Sequence, residues 1–372
     1  MLTIFSSFIC SLIIGALILR YQSSHQRLTG DHDFDGVQKF HLTSVPRIGG
    51  ATIFIGICIG ILVRYFSPDR VAFDVSSQLL LAAIPAFLGG LVEDLTKKVG
   101  VKTRLFLTAL SAGVAGFFLN AWLTDIQVIG IDFLLAIPLI SILFTCFAVA
   151  GVANSFNLID GFNGLASGVG VMILLAIAYV AFQVRDYGIL LSSFAAIGAI
   201  VGFFFWNYPR GAIFLGDGGA YLIGFWIAEL CVLLVTRNPS ISKWFPLLIC
   251  IYPIFETLFT IYRRLMKRIH PGMPDANHLH QMIFRRIVSD PSNESVNQLV
   301  KENSKTSSYM WALTSLAIMP AILFWQVKWA LQLATILFCV TYVWIYWAIV
   351  RFKVPPWLGR QGVSLQQNGK RY

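Results

Sequence analysis

The chain has 372 residues, 57% of them hydrophobic and only 12% charged, with a formal net charge of +10 and a mean hydropathy of +0.72. So apolar a composition excludes an ordinary soluble domain and identifies a polytopic membrane protein. Cys10, Cys58, Cys146, Cys231, Cys250 and Cys339 all lie inside apolar runs without a CxxC pair, which excludes a disulfide framework or thiolate metal site and leaves small core hydrophobes.

Apolar runs of helix-spanning length are predicted near 1–19, 48–66, 78–92, 105–122, 134–150, 168–182, 188–206, 220–235, 244–262, 309–326 and 329–350. They predict an all-α integral membrane protein of about eleven transmembrane helices, one domain over 1–372, with no internal repeat. The third run is short and holds Pro85, Gly89 and Gly90, so a tilted, broken or re-entrant helix is expected there. No basic residue precedes the first run, and Arg20, Arg27 and Lys39 follow it, the pattern of an uncleaved anchor with its N-terminus outside. Eleven spans then assign 22 of the 28 Lys and Arg residues to cytoplasmic loops, among them the loop at about 264–308 and the tail 351–372. Only Arg64, Arg70, Arg185, Arg237, Lys243 and Lys328 fall outside, a bias that supports this orientation. Topology alone demands most of these charges, and they also attract anionic lipid at about 1 kcal/mol each.

Five polar segments converge on the cytoplasmic face in this topology. In chain order they are HLTSVPRIGG (41–50), GGLVEDLTKKVGVKTRL (89–105), NSFNLIDGFNGLASG (154–168), FLGDGGAYLIGF (214–225) and HPGMPDANHLHQ (270–281). Polar groups buried in an apolar chain cost several kcal/mol each by rough transfer estimates unless something meets them. Glu93, Asp94, Asp160 and Asp217 are hard oxygen ligands or bases at helix ends, suited to Mg²⁺ rather than zinc. Lys97, Lys98, Lys102, Arg104 and Arg210 can neutralise phosphate, and glycine-rich turns let backbone N–H groups approach it. Carboxylates, bases and glycines at a membrane surface point to phosphoryl transfer between a nucleotide and a lipid.

If 154–164 is helical, Asn154, Asn157, Gly161 and Gly164 form one stripe with Asp160 on its edge. A lone Asn there would be interhelical glue, whereas three Asn and an Asp at one mouth favour function. Glu93–Asp94 could merely end a helix, and Asp217 in GDGG could be a turn residue; the adjacency of two carboxylates argues for a proton or cation between them. His278 and His280 lack a nearby third zinc ligand. On a helix over 278–285, His278, Gln281 and Arg285 would share a face able to grip a sugar or diphosphate, with His280 pointing elsewhere; an interfacial helix with snorkelling arginines explains the pattern equally well.

Together these segments resemble the polyprenyl-phosphate N-acetylhexosamine-1-phosphate transferase family. NSFNLIDGFNGLASG is close to its NxxNxxDGxDGLAxG motif, FLGDGGAYLIG is similar to FxGDxGS, and VPRIGG resembles the P-x-GG that opens the second helix. The resemblance implies transfer of HexNAc-1-phosphate from a UDP-aminosugar to polyprenyl phosphate, yielding UMP, with Mg²⁺ (or Mn²⁺) as cofactor. It implies a multi-pass protein of the bacterial inner membrane with a cytoplasmic active site and no nucleic-acid partner, and it admits a homodimer. By position, Asn157 and Asp217 would hold the metal, and Glu93 and Asp94 would lie near the acceptor phosphate. Asn163 would approach the uracil, Lys102 and Arg104 match the following basic stretch, and His278 matches the loop over sugar and phosphate; His41, Asn154, His280 and Arg285 complete the expected substrate contacts. Glu93 replaces the usual first Asp and leaves the base open between Glu93 and Asp94. Gln281 stands where a further His is usual, Ala276 where Arg is frequent, and Asn163 replaces the second Asp. These departures point away from the peptidoglycan branch and toward O-antigen-initiating members using GlcNAc or a 6-deoxy relative. A transporter is the alternative; it requires mid-membrane ionisable residues and symmetric halves, whereas the acids read here gather at one mouth.

Overall fold

The computed structural model describes residues 1–31, 44–66, 70–268, 277–289 and 295–351. In chain order the helices are α1 (Leu2–Arg20), α2 (Gln22–Thr29), α3 (Gly49–Tyr65), α4 (Arg70–Thr96), α5 (Val101–Leu119), α6 (Ile131–Leu135), α7 (Pro138–Ile159) and α8 (Leu165–Gln183). There follow α9 (Tyr187–Asn207), α10 (Gly216–Arg237), α11 (Trp244–Ile249), α12 (Ile251–Met266), α13 (Leu279–Ile283), a π-helical turn (Phe284–Val288), α14 (Val296–Leu323) and α15 (Lys328–Val350). Two residues of β1 (Gly30–Asp31) pair antiparallel with β2 (Val45–Pro46).

Among the described residues nine helices are long and apolar enough to cross a membrane: α1, α4, α5, α7, α8, α9, α10, α14 and α15. The all-α membrane fold is therefore observed, and two further predicted runs take other forms. The run at 48–66 is the apolar 17-residue α3. The run at 244–262 is two helices, α11 and α12, meeting at Cys250. Pro253 in the first turn of α12 has no N–H to offer back to the α11 end, so the break is where proline chemistry puts it. The expected break at 78–92 does not occur: α4 runs unbroken through Pro85, and the nearby Ala86 N–H donates instead to Ser111 Oγ of α5 at 2.9 Å.

The centre of the bundle is α10, whose apolar window is wholly enclosed, and it touches α3, α4, α5, α7, α8, α9 and α11. Apolar lipid supplies little drive between helices, so close contact must come from small residues. A Cβ on Gly90 of α4 would lie 2.5 Å from Gly218 N, and one on Gly224 would lie 2.5 Å from Ala153 Cα of α7. On the other side, α1 lays Thr3, Ser7, Ser11 and Gly15 against α3 and α9, where a Cβ on Gly202 would sit 2.5 Å from Phe8 O. The acids are not confined to one mouth. Glu229, thirteen residues into α10, is fully buried and its carboxyl has no hydrogen-bond partner among the described residues; Glu256 of α12 is also fully buried.

Candidate active site

Backbone pairing builds the site floor. Residues 46–50 run along 214–215: Phe214 N donates to Pro46 O at 2.9 Å, Gly49 N to Phe214 O at 3.0 Å and Gly50 N to Leu215 O at 2.9 Å. Arg47 is thereby held at the start of α10. Gly216 adopts φ +72°, and a side chain there would strike Arg47 O, so this turn requires glycine. Gly90 brings α4 against the same point, and one helical turn later Asp94 meets the first turn of α10. Its two oxygens accept from Asp217 N and Gly218 N, both at 2.8 Å. The first amides of a helix lack intrahelical acceptors and carry partial positive charge, so a carboxylate from another helix suits them.

Around this junction the charges interlock. Arg47 Nη2 lies 3.4 Å from Asp217 Oδ1 and 3.7 Å from Asp94 Oδ1, while Arg104, in the first turn of α5, pairs with Asp217 Oδ2. The Arg104 guanidinium also lies 5.7 Å from the Tyr221 ring centroid, and the Tyr221 hydroxyl donates to Asn154 Oδ1 at 3.1 Å. That bond joins the Asn154–Asn157 face of α7 to the Asp217–Tyr221 face of α10. Glu93 Oε2 accepts from Val99 N at 2.6 Å and so closes the turn between α4 and α5. Exposure separates the members: the Asp94 side chain is 1% exposed, Asp217 13% and Arg47 25%, so Arg47 and Asp217 are the pair a ligand can reach.

A helix through the whole of 154–164, the condition for that stripe, does not form. Helix α7 ends at Ile159, Asp160 follows at φ −77°, ψ 56°, and Gly164 caps α8 at φ +76°, a conformation that glycine tolerates and a helix does not. Asn154 and Asn157 keep their shared face, but Gly161 and Gly164 leave it. Desolvation in this turn pushes the Asp160 carboxyl up to about 7, opposed by the positive charge of Arg47. Neither the Asp160 carboxyl nor the Asn157 amide hydrogen-bonds any described side chain or backbone group. Asn163 is buried; its Nδ2 donates to Pro209 O at 3.1 Å and its backbone N–H to Asn303 Oδ1 at 2.8 Å.

The histidines occupy an enclosed wall beside the turn. His278 is the extended N-cap of α13, at φ −65°, ψ 150°, in a reciprocal cap with Gln281. Because it precedes the helix, the expected separation of the two rings fails: His278 and His280 stack, with centroids 5.3 Å apart and planes 7° apart. His278 Nδ1 lies 3.1 Å from Glu256 Oε1, and Tyr342 of α15 donates to Glu256 Oε2 at 2.6 Å. Burial lowers His280 to about 3, so it is neutral at ordinary pH. A Cβ on Gly161 would lie 3.2 Å from His280 Nε2, and Phe162 meets the same ring edge-on at 5.6 Å. The Asp160–Gly164 turn thus lies between the acid–arginine cluster and the histidine wall.

Of the other expected contacts, Lys102 is exposed and forms no ion pair with a described residue. Arg285 is exposed on the π-helical turn, and His41 lies outside the described residues. Sequence reasoning missed Arg47, Tyr221, Glu256 and Tyr342. Glu256 had a readable signal, a lone acid inside an apolar run; Arg47 had none beyond its place before two glycines. Among the described residues no three His, Cys, Asp or Glu side chains gather as a metal cage. A site of Asp217 and Asn157 would be sparse, the kind that suits Mg²⁺, which retains waters and substrate phosphates and takes only one or two carboxylates.

The model of glycosyl transferase family 4 matches residues 77–235, the stretch from α4 to α10 that carries every acid of the cluster. The chain is 30% identical over 293 residues to a probable undecaprenyl-phosphate N-acetylglucosaminyl 1-phosphate transferase of Bacillus subtilis (strain 168), covering 76% of this chain and 78% of that protein. It is 28% identical over 293 residues to the undecaprenyl-phosphate alpha-N-acetylglucosaminyl 1-phosphate transferase of Escherichia coli (strain K12), covering 77% of each. Against the protein of the same name from Thermotoga maritima it is 28% identical over 250 residues, 67% of this chain and 72% of that one. With such similarity sustained across three quarters of both chains in the first comparison, and with the matched segment building the acid–arginine cluster, the chain belongs to glycosyl transferase family 4.

Proposed function

We propose that this protein transfers N-acetylhexosamine 1-phosphate, as GlcNAc or a 6-deoxy relative, from a UDP-sugar to undecaprenyl phosphate, releasing UMP and beginning a lipid-linked glycan such as O-antigen. The observation that carries this reading is the gathering of Asp94, Asp160 and Asp217 with Arg47 and Arg104 at one end of a membrane bundle, from four separate segments. Phosphates need cations and oriented N–H groups, and a lipid phosphate needs them at a membrane surface. The Lys and Arg bias of the loops supports a cytoplasmic site in the inner membrane with the N-terminus outside.

In this reading an oxygen of the lipid phosphate forms a bond to the sugar-linked phosphorus, and the phosphoanhydride bond to UMP breaks. Arg104, Arg47 and Lys102 neutralise phosphate oxygens; His278, held by Glu256, faces sugar or diphosphate. Asp217 and Asn157 would hold Mg²⁺, with Asp160 three residues after Asn157 as a further carboxylate, and the ion would supply charge neutralisation for the departing UMP. Asp94 is committed to two amides of α10 and Glu93 to Val99 N, so the acid pair shapes the site, and a lipid phosphate monoester, largely ionised near neutral pH and set beside arginines, needs little help from a base. The transporter reading gains no support from Glu229, which is fully enclosed and whose carboxyl meets no hydrogen-bond partner among the described residues.

The test is a membrane-vesicle assay with labelled UDP-aminosugars and undecaprenyl phosphate. Label appearing in lipid extracts with equal UMP is expected, lost on chelation by EDTA and restored by Mg²⁺. Label trapped inside vesicles without lipid extraction or UMP would replace this reading with transport, and full activity in EDTA would remove the metal.

A further inference from the structure

Helix α14 begins at Val296, thirteen residues before the apolar run predicted from 309. That extension is polar in sequence yet buried: Asn303 is 9% exposed and Ser307 0%. Both reach the Asp160–Gly164 turn. Asn163 N donates to Asn303 Oδ1 at 2.8 Å, Ser307 Oγ donates to Asn163 O at 2.7 Å, and Trp311 Nε1 donates to Gly164 O at 3.3 Å. Positions 303, 307 and 311 recur every four residues and so form one stripe of the helix. Asn207 completes the hold, accepting from Gly164 N at 2.6 Å while its own amide donates to Ile213 O at 2.8 Å. A short irregular turn with two glycines has high conformational freedom when untethered. Here both backbone polar groups of Asn163 are fixed by side chains about 140 residues away. The same turn opens with Asp160 beside Arg47 and presents Gly161 to His280.

We propose that Asn303 and Ser307 are positioning residues: from α14 they clamp the backbone of Asn163 and thereby set where Asp160 and the histidine-facing edge of the turn stand for the water-soluble sugar-nucleotide donor. The inference rests on the transferase reading for its effect on activity, while the clamp itself is testable without it. Asn303→Ala and Ser307→Ala should each lower kcat/KM for the donor about tenfold, the factor for one lost buried hydrogen bond of about 1.4 kcal/mol, with KM for undecaprenyl phosphate unchanged. Asn303→Asp, which keeps the acceptor oxygen, should recover most of that loss, and Asn303→Leu should not. Because the two side chains hold one residue, the double variant should fall well short of the hundredfold product.

Hydrogen exchange gives the second readout: the amides of Asn163 and Gly164 should exchange faster in Asn303→Ala than in the wild type, with the helices of the bundle unchanged. Equal rises in KM for donor and lipid, or Asn303→Asp no better than Asn303→Leu, would reduce the pair to packing and overturn the proposal. Unchanged exchange at those amides would overturn it as well. A wild-type protein that transfers nothing, yet shows the expected exchange difference, would sink the transferase reading and leave the clamp standing.

Discussion

Two carboxylates of this protein, Asp217 and Glu256, are built on opposite plans. Asp217 stands at a helix start with its charge met by Arg47 and Arg104, side chains from other segments. Glu256 is fully buried and held by three neighbours: His278 Nδ1, Leu279 N at 3.3 Å and Tyr342 Oη. Arginine partners on a partly open carboxylate can be exchanged for a phosphate or a cation with little disturbance. Partners of an enclosed carboxylate cannot leave without stranding a desolvated charge. The difference separates an acid placed to exchange its partners for a ligand from one that holds elements of the fold together.

Asp217→Ala separates them most sharply. Transfer should fall about a thousandfold, the upper range for deleting one charge-stabilising group in a site, while the thermal midpoint stays close to that of the wild type. An unfolded variant, or one with normal turnover, would break the comparison. Glu256→Ala should do the reverse in kind: it leaves His278 Nδ1, Leu279 N and Tyr342 Oη without their buried acceptor, at about 1–3 kcal/mol for each group left unsatisfied, read as a large drop in the denaturation midpoint in detergent. Next comes Gly90→Ala. Its Cβ would press to 2.5 Å of Gly218 N, forcing α4 from α10 and pulling Asp94 off the two amides it caps. Overpacking of this kind costs about 1–3 kcal/mol, and here transfer should decline along with stability, because Asp94 serves both.

The acids of the cluster were legible in the sequence because a charged residue in so apolar a chain is conspicuous. Asp94, Asp160 and Asp217 could be placed together from their segments alone. Their partners could not, since Arg47 and Asp217 lie 170 residues apart and nothing local marks the pairing. Where α7 ends was not legible, because Asn and Gly spacing imitates a helical stripe, whereas Gly164 supplies a left-handed cap. The histidine pairing failed for a related reason: a residue one step before a helix is extended, and helical spacing does not apply to it. Asn303 and Ser307 escaped notice entirely. They look like the polar lead-in of a helix, and only the turn packed against them shows why they are buried.

The smallest effect probes the enclosed wall by pH. His280 has an ordinary value near 6.5, lowered to about 3 in the folded protein, first by burial and further by His278, against the opposing pull of Glu256. Below pH 6.5 the unfolded chain takes up a proton at this position and the folded chain does not until about pH 3. Stability is therefore full at neutral pH and declines on acidification, by about 1 kcal/mol per pH unit at steepest. His280→Phe keeps the ring that meets Phe162 and stacks beside His278. The His280 Nδ1 that it removes has no hydrogen-bond partner among the described residues, so the substitution should cost little at pH 8. Between pH 7 and 5 the wild-type thermal midpoint should fall more steeply than that of His280→Phe, other carboxylates contributing equally to both. Parallel slopes would mean that His280 takes up its proton in the folded state as readily as in the unfolded chain, and that the ring is not shut off from water by the wall around it.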